Sequence, residues 1–223
     1  MSSKVFSLKN HRHFDYIVGV DEAGRGPIAG PVAVAAFALN IFKFKDRAQA
    51  NYLDVCLGGA RDSKTLSISQ RDRWFDKIET EAEKGSVAYA SSLVSAKIID
   101  RLGIVAAVRL ALRRSLEKLG RDPKRTLVLL DGLLKAPPIY CYQQTIIRGD
   151  KDVPVISLAS IVAKVVRDRQ MIALSKKYPA YSFETHKGYG TKMHYALLRR
   201  YGPCEIHRKS FLKGHIHTPA SQN

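Results

Sequence analysis

The chain has 223 residues, enough for one well-buried domain with a small appendage and too few for two domains of ordinary size. Its 37 Lys and Arg against 20 Asp and Glu give a formal net charge of +17 and a pI near 9.9, which favours a polyanionic partner, with nucleic acid first among candidates. The basic residues are spread along the chain, with no long basic amphipathic helix and no apolar run of spanning length, so a membrane role is not expected. Cys56, Cys141 and Cys204 include no Cys-x-x-Cys pair, which speaks against a zinc site and a disulfide framework. The N-terminal residues lack the apolar region of a secretory signal, so the expected location is the cytoplasm.

The first element in chain order is an apolar strand beginning at Tyr16 and running into Asp21 and Glu22, directly before Gly24-Arg25-Gly26. Val32 to Leu39 forms a second apolar run, and together they predict a central hairpin with the two carboxylates at its turn. Neighbouring side chains on a regular strand point to opposite faces, so Asp21 and Glu22 can serve one site only if the backbone bends there. Gly24 and Gly26 permit that bend. An acidic pair beside a turn is otherwise a solvated surface feature.

Residues 40 to 62 break the pattern and read as a surface excursion. Ser67 followed by Gln70 resembles a capping box, and Trp74, Phe75, Ile78 and Ala82 continue at helical spacing to about Lys84, with Trp74 expected in the core. Ser86 to Leu93 predicts a third strand. Val105, Val108, Leu112, Leu116 and Leu119 mark a helix ending near Gly120. Thr126 to Leu130 is a continuous apolar strand that stops at Asp131-Gly132, and Ile139 to Ile147 alternates as another strand leading to Arg148-Gly149-Asp150. A helix over 157 to 177, a Gly-, Tyr- and Lys-rich stretch from Lys187, a helix from about Lys192 to Tyr201 and a loosely structured last twenty residues complete the reading. Antiparallel strands followed by strands alternating with helices predict an α/β fold: a mixed sheet flanked by helices. The main domain is expected over 1 to 190, with a small C-terminal helical extension and tail over 191 to 223 packed on it.

Four acids, Asp21, Glu22, Asp131 and Asp150, each follow an apolar strand, and strands of one sheet bring such ends together. Clustered carboxylates raise one another's pKa unless a cation neutralises them. An all-oxygen site suits Mg²⁺ or Mn²⁺, and two such ions about 4 Å apart can activate water and stabilise the leaving oxygen of a phosphodiester. The alternative takes Asp131-Gly132 and Gly149-Asp150 as ordinary turns. His186, His194 and His207 are weaker ligand candidates, and neither Ser63 nor Ser160 stands in an arrangement that marks a nucleophile.

Asp21-Glu22-Ala23-Gly24-Arg25-Gly26-Pro27, Asp62-Ser63-Lys64-Thr65-Leu66-Ser67, Leu130-Asp131-Gly132, Gly149-Asp150, Ala159 to Asp168, His186 to Thr191 and His207-Arg208-Lys209-Ser210-Phe211 together resemble ribonuclease HII, in order, from about Tyr16 to Phe211. The resemblance implies a ribonuclease H-like fold. It also implies cleavage of the RNA strand of RNA:DNA hybrids and incision 5′ of a ribonucleotide embedded in duplex DNA, leaving 5′-phosphate and 3′-hydroxyl ends. It makes Asp21, Glu22, Asp131 and Asp150 the metal-binding carboxylates, and gives Gly24, Arg25 and Gly26 contact with the junction ribonucleotide. Tyr189 would stack on the neighbouring deoxyribose, a core tyrosine being the alternative.

Lys64, Lys164, Arg167 and Lys187 are implied phosphate contacts, which position a duplex without reading its sequence. Lys164 and Arg167 share one helical face, although Lys164 can instead pair with Asp168. Asp168 is a rival to Asp150 as fourth carboxylate, and it and Ser160 are second-choice site residues. The related ribonuclease HIII carries lysine where this chain has Arg25, and a long N-terminal platform domain. A non-catalytic nucleic-acid binder and a junction nuclease indifferent to the 2′-hydroxyl are the competing readings. Nothing in the sequence requires more than a monomer.

Overall fold

The computed structural model describes residues 13–44 and 66–212. Of the excursion predicted over 40 to 62, residues 40–44 are the last residue of the second strand and a 3-10 turn, Ile41–Phe44, while 45–62, with Cys56, and also Lys64 lie outside the described residues. Five strands form one mixed sheet: β1 (Tyr16–Ala23), β2 (Val32–Asn40), β3 (Val87–Val94), β4 (Thr126–Asp131) and β5 (Gln143–Ile146), in the order β3-β2-β1-β4-β5. β1 pairs antiparallel with β2 and β2 with β3, while β1 and β4, and β4 and β5, pair parallel. The helices are α1 (Ile68–Glu83), α2 (Ala96–Leu102), α3 (Ile104–Leu119), α4 (Gly149–Asp152), α5 (Pro154–Lys177), α6 (Phe183–His186), α7 (Lys192–Tyr201) and α8 (Lys209–Leu212).

The period of two in the strands sorts the core into two layers. Ile17, Ala35, Phe37, Leu127 and Leu129 pack with α5, including Val155, Ile156, Ala159 and Val162, and with Phe75 and Ile78 of α1. Val18, Val20, Val34, Ala36, Val128 and Leu130 pack on the other face against Val108, Leu112 and Leu116 of α3. All of β2 except Asn40 is buried, which is why its sequence is apolar without alternation. A third cluster, with Ile28, Met171, Tyr181, Phe183, Leu198 and Leu212, joins the C-terminal helices to the end of α5 and to the loop after β1.

Several predicted elements hold, including the capping box, in which Ser67 accepts from the Gln70 amide. Trp74 packs against the core, with Lys77 over its ring. Others need correction. The carboxylates do not sit at a hairpin turn: β1 stays in register with β2 through Asp21↔Ala35 and Glu22↔Val34, and the connection is the longer loop 24–31. The strand predicted over Ile139 to Ile147 shrinks to Gln143–Ile146, because Tyr140 turns inward and the Gln143 side chain bridges Ala136 and Tyr140 backbone. Asp150 therefore lies in the short helix α4 rather than at a strand end. A further helix, α2, precedes Gly103. The last twenty residues are not loose throughout, since 204–212 pack on the body, with α8 capped by Asp100 accepting from the Lys209 and Ser210 amides.

Gly19 shows how closely α5 lies on β1. A Cβ at this position would come within 2.1 Å of the Val155 carbonyl oxygen, a backbone atom that cannot rotate away. Gly19→Ala is expected to lower the urea unfolding midpoint, on the order of 1–3 kcal/mol of lost stability, as the helix is pushed off the sheet.

Candidate metal centre

Strand parity places the acids. Residues 17, 19 and 21 of β1 and 127, 129 and 131 of β4 face α5, and the parallel register Gly19↔Leu129 and Val20↔Leu130 puts Asp21 and Asp131 side by side at the same end of the sheet. Asp150 arrives from α4, after Arg148 has turned the chain at φ 59°. Its amide lies 3.4 Å from Asp131 Oδ1, and its carbonyl accepts from the Ser157 hydroxyl at the start of α5. Asp21, Asp131 and Asp150 each offer a ligand atom within 4.8 Å of the others.

Asp21 is 3% exposed and Asp150 1%. Burial, followed by the repulsion of Glu22 and Asp131, pushes the Asp21 carboxyl up to about 8, against the opposing effects of Ser160 and the Glu22 amide. Its Oδ1 accepts from the Glu22 amide, but its Oδ2 is buried with no hydrogen-bond partner. A buried acceptor in that state is costly. Three converging carboxylates, one of which has a buried oxygen without a partner, fit a hard divalent cation.

Glu22 stands outside this trio. Its carboxylate accepts from the half-exposed Arg25 guanidinium at 3.2 Å. Glu22, Ala23, Gly24, Ser160, Lys164 and Tyr189 line a cavity of about 240 Å³. A larger cavity, of about 410 Å³, lies at the opposite end of the sheet among Tyr16, Asn40, Tyr89 and Arg121, and no carboxylate lines it.

The predicted substrate contacts divide. Tyr189 is 43% exposed and borders the cavity, with Lys164 at 5.8 Å and Arg167 at 5.6 Å from its ring centre, so it is not a core tyrosine. Lys164 donates to Asp168 at 2.8 Å, and that pairing occupies Asp168, which does not join the acidic trio.

Arg167 needs correction as a phosphate contact. It is fully buried and donates to the carbonyls of Pro31, Ala29 and Lys187, bracing the loop from within. Lys187 is also buried, its ammonium held by the Glu184 carbonyl. Sequence reading missed Arg71, which joins the cavity wall from α1, and Arg208, whose guanidinium binds the loop 24–31. Neither carries a local signal, since an arginine on a helix face or in a C-terminal segment is ordinarily solvated.

Behind Tyr189 the histidines form a buried chain. Because a carbonyl only accepts, His194 Nδ1 donates to Tyr189 O at 2.9 Å, which leaves its Nε2 to accept from His207 Nε2 at 3.0 Å. His207 Nδ1 then accepts from the Cys204 amide at 2.9 Å. His186 stacks on His194 at 4.1 Å, donating to Tyr181 O and accepting from the Gly188 amide. Burial disfavours the charged form of all three rings, which are bonded to backbone and, for His194 and His207, to each other, and among the described residues none of them joins the acidic trio.

A mixed sheet whose parallel central strands deliver buried carboxylates to one end, in a strongly basic chain, defines a metal-dependent nuclease of the ribonuclease H class. The family model described as Ribonuclease HII matches residues 18–214. A relative from Caldicellulosiruptor bescii, "Ribonuclease HII", is 46% identical over 200 residues, covering 90% of this chain and 88% of the relative. Among solved structures, ribonuclease H2 from Pyrococcus horikoshii OT3 aligns with a TM-score of 0.63 at 24% identity, over 87% of this chain and 93% of that one. Bst-RNase HIII in complex with Mn²⁺ aligns with a TM-score of 0.57 at 20% identity, over 92% of this chain and 67% of that one. The two structural likenesses show the shared fold. The chain belongs to the ribonuclease HII family, and its activity class is that of a metal-dependent ribonuclease H acting on RNA:DNA hybrids.

Burial pushes His194 and His207 down to about 4, from an ordinary value of 6.5. Between these values the unfolded chain binds two protons that the folded chain refuses, so stability falls as pH drops from about 6.5 toward 4. Asp21, raised in the fold, opposes this with one proton. In an Asp21→Asn variant, which removes that opposition, the melting temperature is expected to fall steadily from pH 6.5 to 5; a flat profile would contradict neutral buried histidines.

Proposed function

We propose that this protein cuts the RNA strand of RNA:DNA hybrids and incises duplex DNA on the 5′ side of an embedded ribonucleotide, by hydrolysis that leaves 5′-phosphate and 3′-hydroxyl ends. The observation that carries the reading is the convergence of Asp21, Asp131 and Asp150 within 4.8 Å, with Asp21 Oδ2 buried and unpartnered. These three carboxylates would hold Mg²⁺ or Mn²⁺, two ions being expected. Glu22 borders the same centre as the expected fourth ligand, and its bond to Arg25, 47% exposed, is worth only about 0.2–1 kcal/mol. Such ions, when bound, supply the charge that activates water and stabilises the leaving oxygen.

The chain's own residues do the rest. Asp21 and Asp150, buried beneath α5, hold fixed ligand positions, because strand β1, helix α4 and the Gly19 contact leave them little freedom. Lys164 is the phosphate contact among the described candidates that keeps an accessible ammonium, with its side chain 27% exposed beside the cavity. Tyr189 presents an aromatic ring at the same cavity, where a deoxyribose can stack and an added hydroxyl fits poorly. Gly24 lines that cavity, with Arg25 and Gly26 next in the chain; at the two glycines backbone without a Cβ can approach a sugar closely, and the 2′-hydroxyl is the group that tells RNA from DNA. The net charge of +17 draws a duplex to an otherwise acidic centre. Action as a monomer is the simplest arrangement consistent with a centre built wholly from one chain.

Cleavage of a labelled DNA duplex containing one ribonucleotide tests this reading. One cut 5′ of the ribonucleotide, dependent on Mg²⁺ or Mn²⁺ and abolished by chelator, is expected, with an all-DNA duplex left intact. Asp131→Asn is expected to lower the rate by at least about a thousandfold while leaving duplex binding unchanged or improved. Binding without cutting by the unaltered protein would favour a non-catalytic binder, and cutting of both duplexes a junction nuclease.

A further inference from the structure

The loop between β1 and β2 is built on two buried guanidiniums. Arg167 and Arg208 are both fully buried. Arg208 donates from Nη2 to Gly24 O at 2.7 Å, from Nη1 to Arg25 O at 2.9 Å and from Nε to Gly30 O at 2.9 Å. Among the described residues no carboxylate bonds to it, Asp100 acting only through its charge, and three carbonyl oxygens take up its donors. Gly24, at φ +92°, rests on the other guanidinium, and a Cβ there would come within 2.0 Å of Arg167 Nε.

The geometry of the peptide bond turns this into a statement about the loop's outer surface. In a trans peptide the carbonyl and the following N–H point in opposite directions. With the carbonyls of Gly24 and Arg25 drawn inward to Arg208, the amides of Arg25 and Gly26 point outward. Among the described residues neither amide donates a hydrogen bond, and Arg25 and Gly26 are both exposed. Two successive outward amides form a small concave donor site for an oxygen. It adjoins Gly24 on the wall of the cavity shared with Glu22 and Tyr189.

We propose that Arg208 is a positioning residue for ribonucleotide discrimination: by holding the Gly24 and Arg25 carbonyls it keeps the Arg25 and Gly26 amides aimed at the 2′-hydroxyl of the substrate. This rests on the reading that Gly24 to Gly26 contact the junction ribonucleotide. A deoxyribose leaves such donors unsatisfied, and a site built to bond a hydroxyl rejects the analogue lacking it. Lysine cannot replace Arg208, because one ammonium cannot span three carbonyls that the planar fork reaches together.

The test is a binding ratio, measured in an Asp131→Asn background to prevent cleavage. The dissociation constants for an all-DNA duplex and for the same duplex with one ribonucleotide are compared with and without Arg208→Lys. The parent is expected to prefer the ribonucleotide duplex by about tenfold, and the Arg208→Lys variant to fall below about twofold, with its affinity for all-DNA duplex unchanged. That unchanged affinity shows the fold and the phosphate-gripping surface to be intact, so a merely structural role would not move the ratio.

A retained preference in the lysine variant overturns the role of Arg208 alone. A parent with no preference overturns the reading of the loop, and this inference with it. Should Arg208→Lys not fold, amide resonances of the parent decide: shifts at Arg25 and Gly26 with the ribonucleotide duplex but not with all-DNA support the proposal, and their absence overturns it.

Discussion

The parallel pairing of β1 with β4 governs the molecule. Parallel strands end together, so two carboxylates at the ends of separate apolar runs become neighbours without any special loop. The same pairing fixes parity: Asp21 and Asp131 share the α5 face, while Glu22, one residue further along a strand that stays regular, is left out of the closest trio and borders it from the adjoining cavity. Burial of β1 on both faces then removes the acids from water and creates the need for a cation. A connection between β1 and β4 long enough to cross the sheet is also what places β2, β3 and their covering helices α2 and α3.

Around that centre the chain uses two kinds of buried polar structure. The acids are incomplete by themselves, with Asp21 raised to about 8 chiefly by burial, and await a positive charge. The guanidiniums of Arg167 and Arg208 and the ring chain of His186, His194 and His207 are largely closed systems, in which backbone carbonyls and amides take up the donors and acceptors. The first kind forms the candidate metal centre; the second holds the two loops beside it, 24–31 and 187–191, in shape.

Much of this was legible in the sequence because it is local. The apolar runs of β1, β2 and β4, the capped helix α1 and the acids Asp21 and Asp131 each announce themselves through neighbours in the chain. Asp150 was found as a residue but misplaced in structure, since four residues of helix after a left-handed Arg148 leave no periodic signal. The regular course of β1 past Glu22 was not legible either: Gly24-Arg25-Gly26 permits a turn, and only pairing with β2 shows that the strand continues to Ala23. Arg167 and Arg208 escaped for a deeper reason. Whether an arginine meets phosphate or backbone carbonyl depends on what folds over it, and the atoms that cover these two come from segments far away.

That distance also has a bearing on synthesis. The carbonyls of Gly24 and Arg25 wait for a guanidinium 184 and 183 positions later in the chain. The sheet strands and acids emerge from the ribosome well before it. A nascent chain can thus assemble its carboxylates while the loop beside them still lacks its brace, and that loop takes its final shape only after Arg208 has emerged.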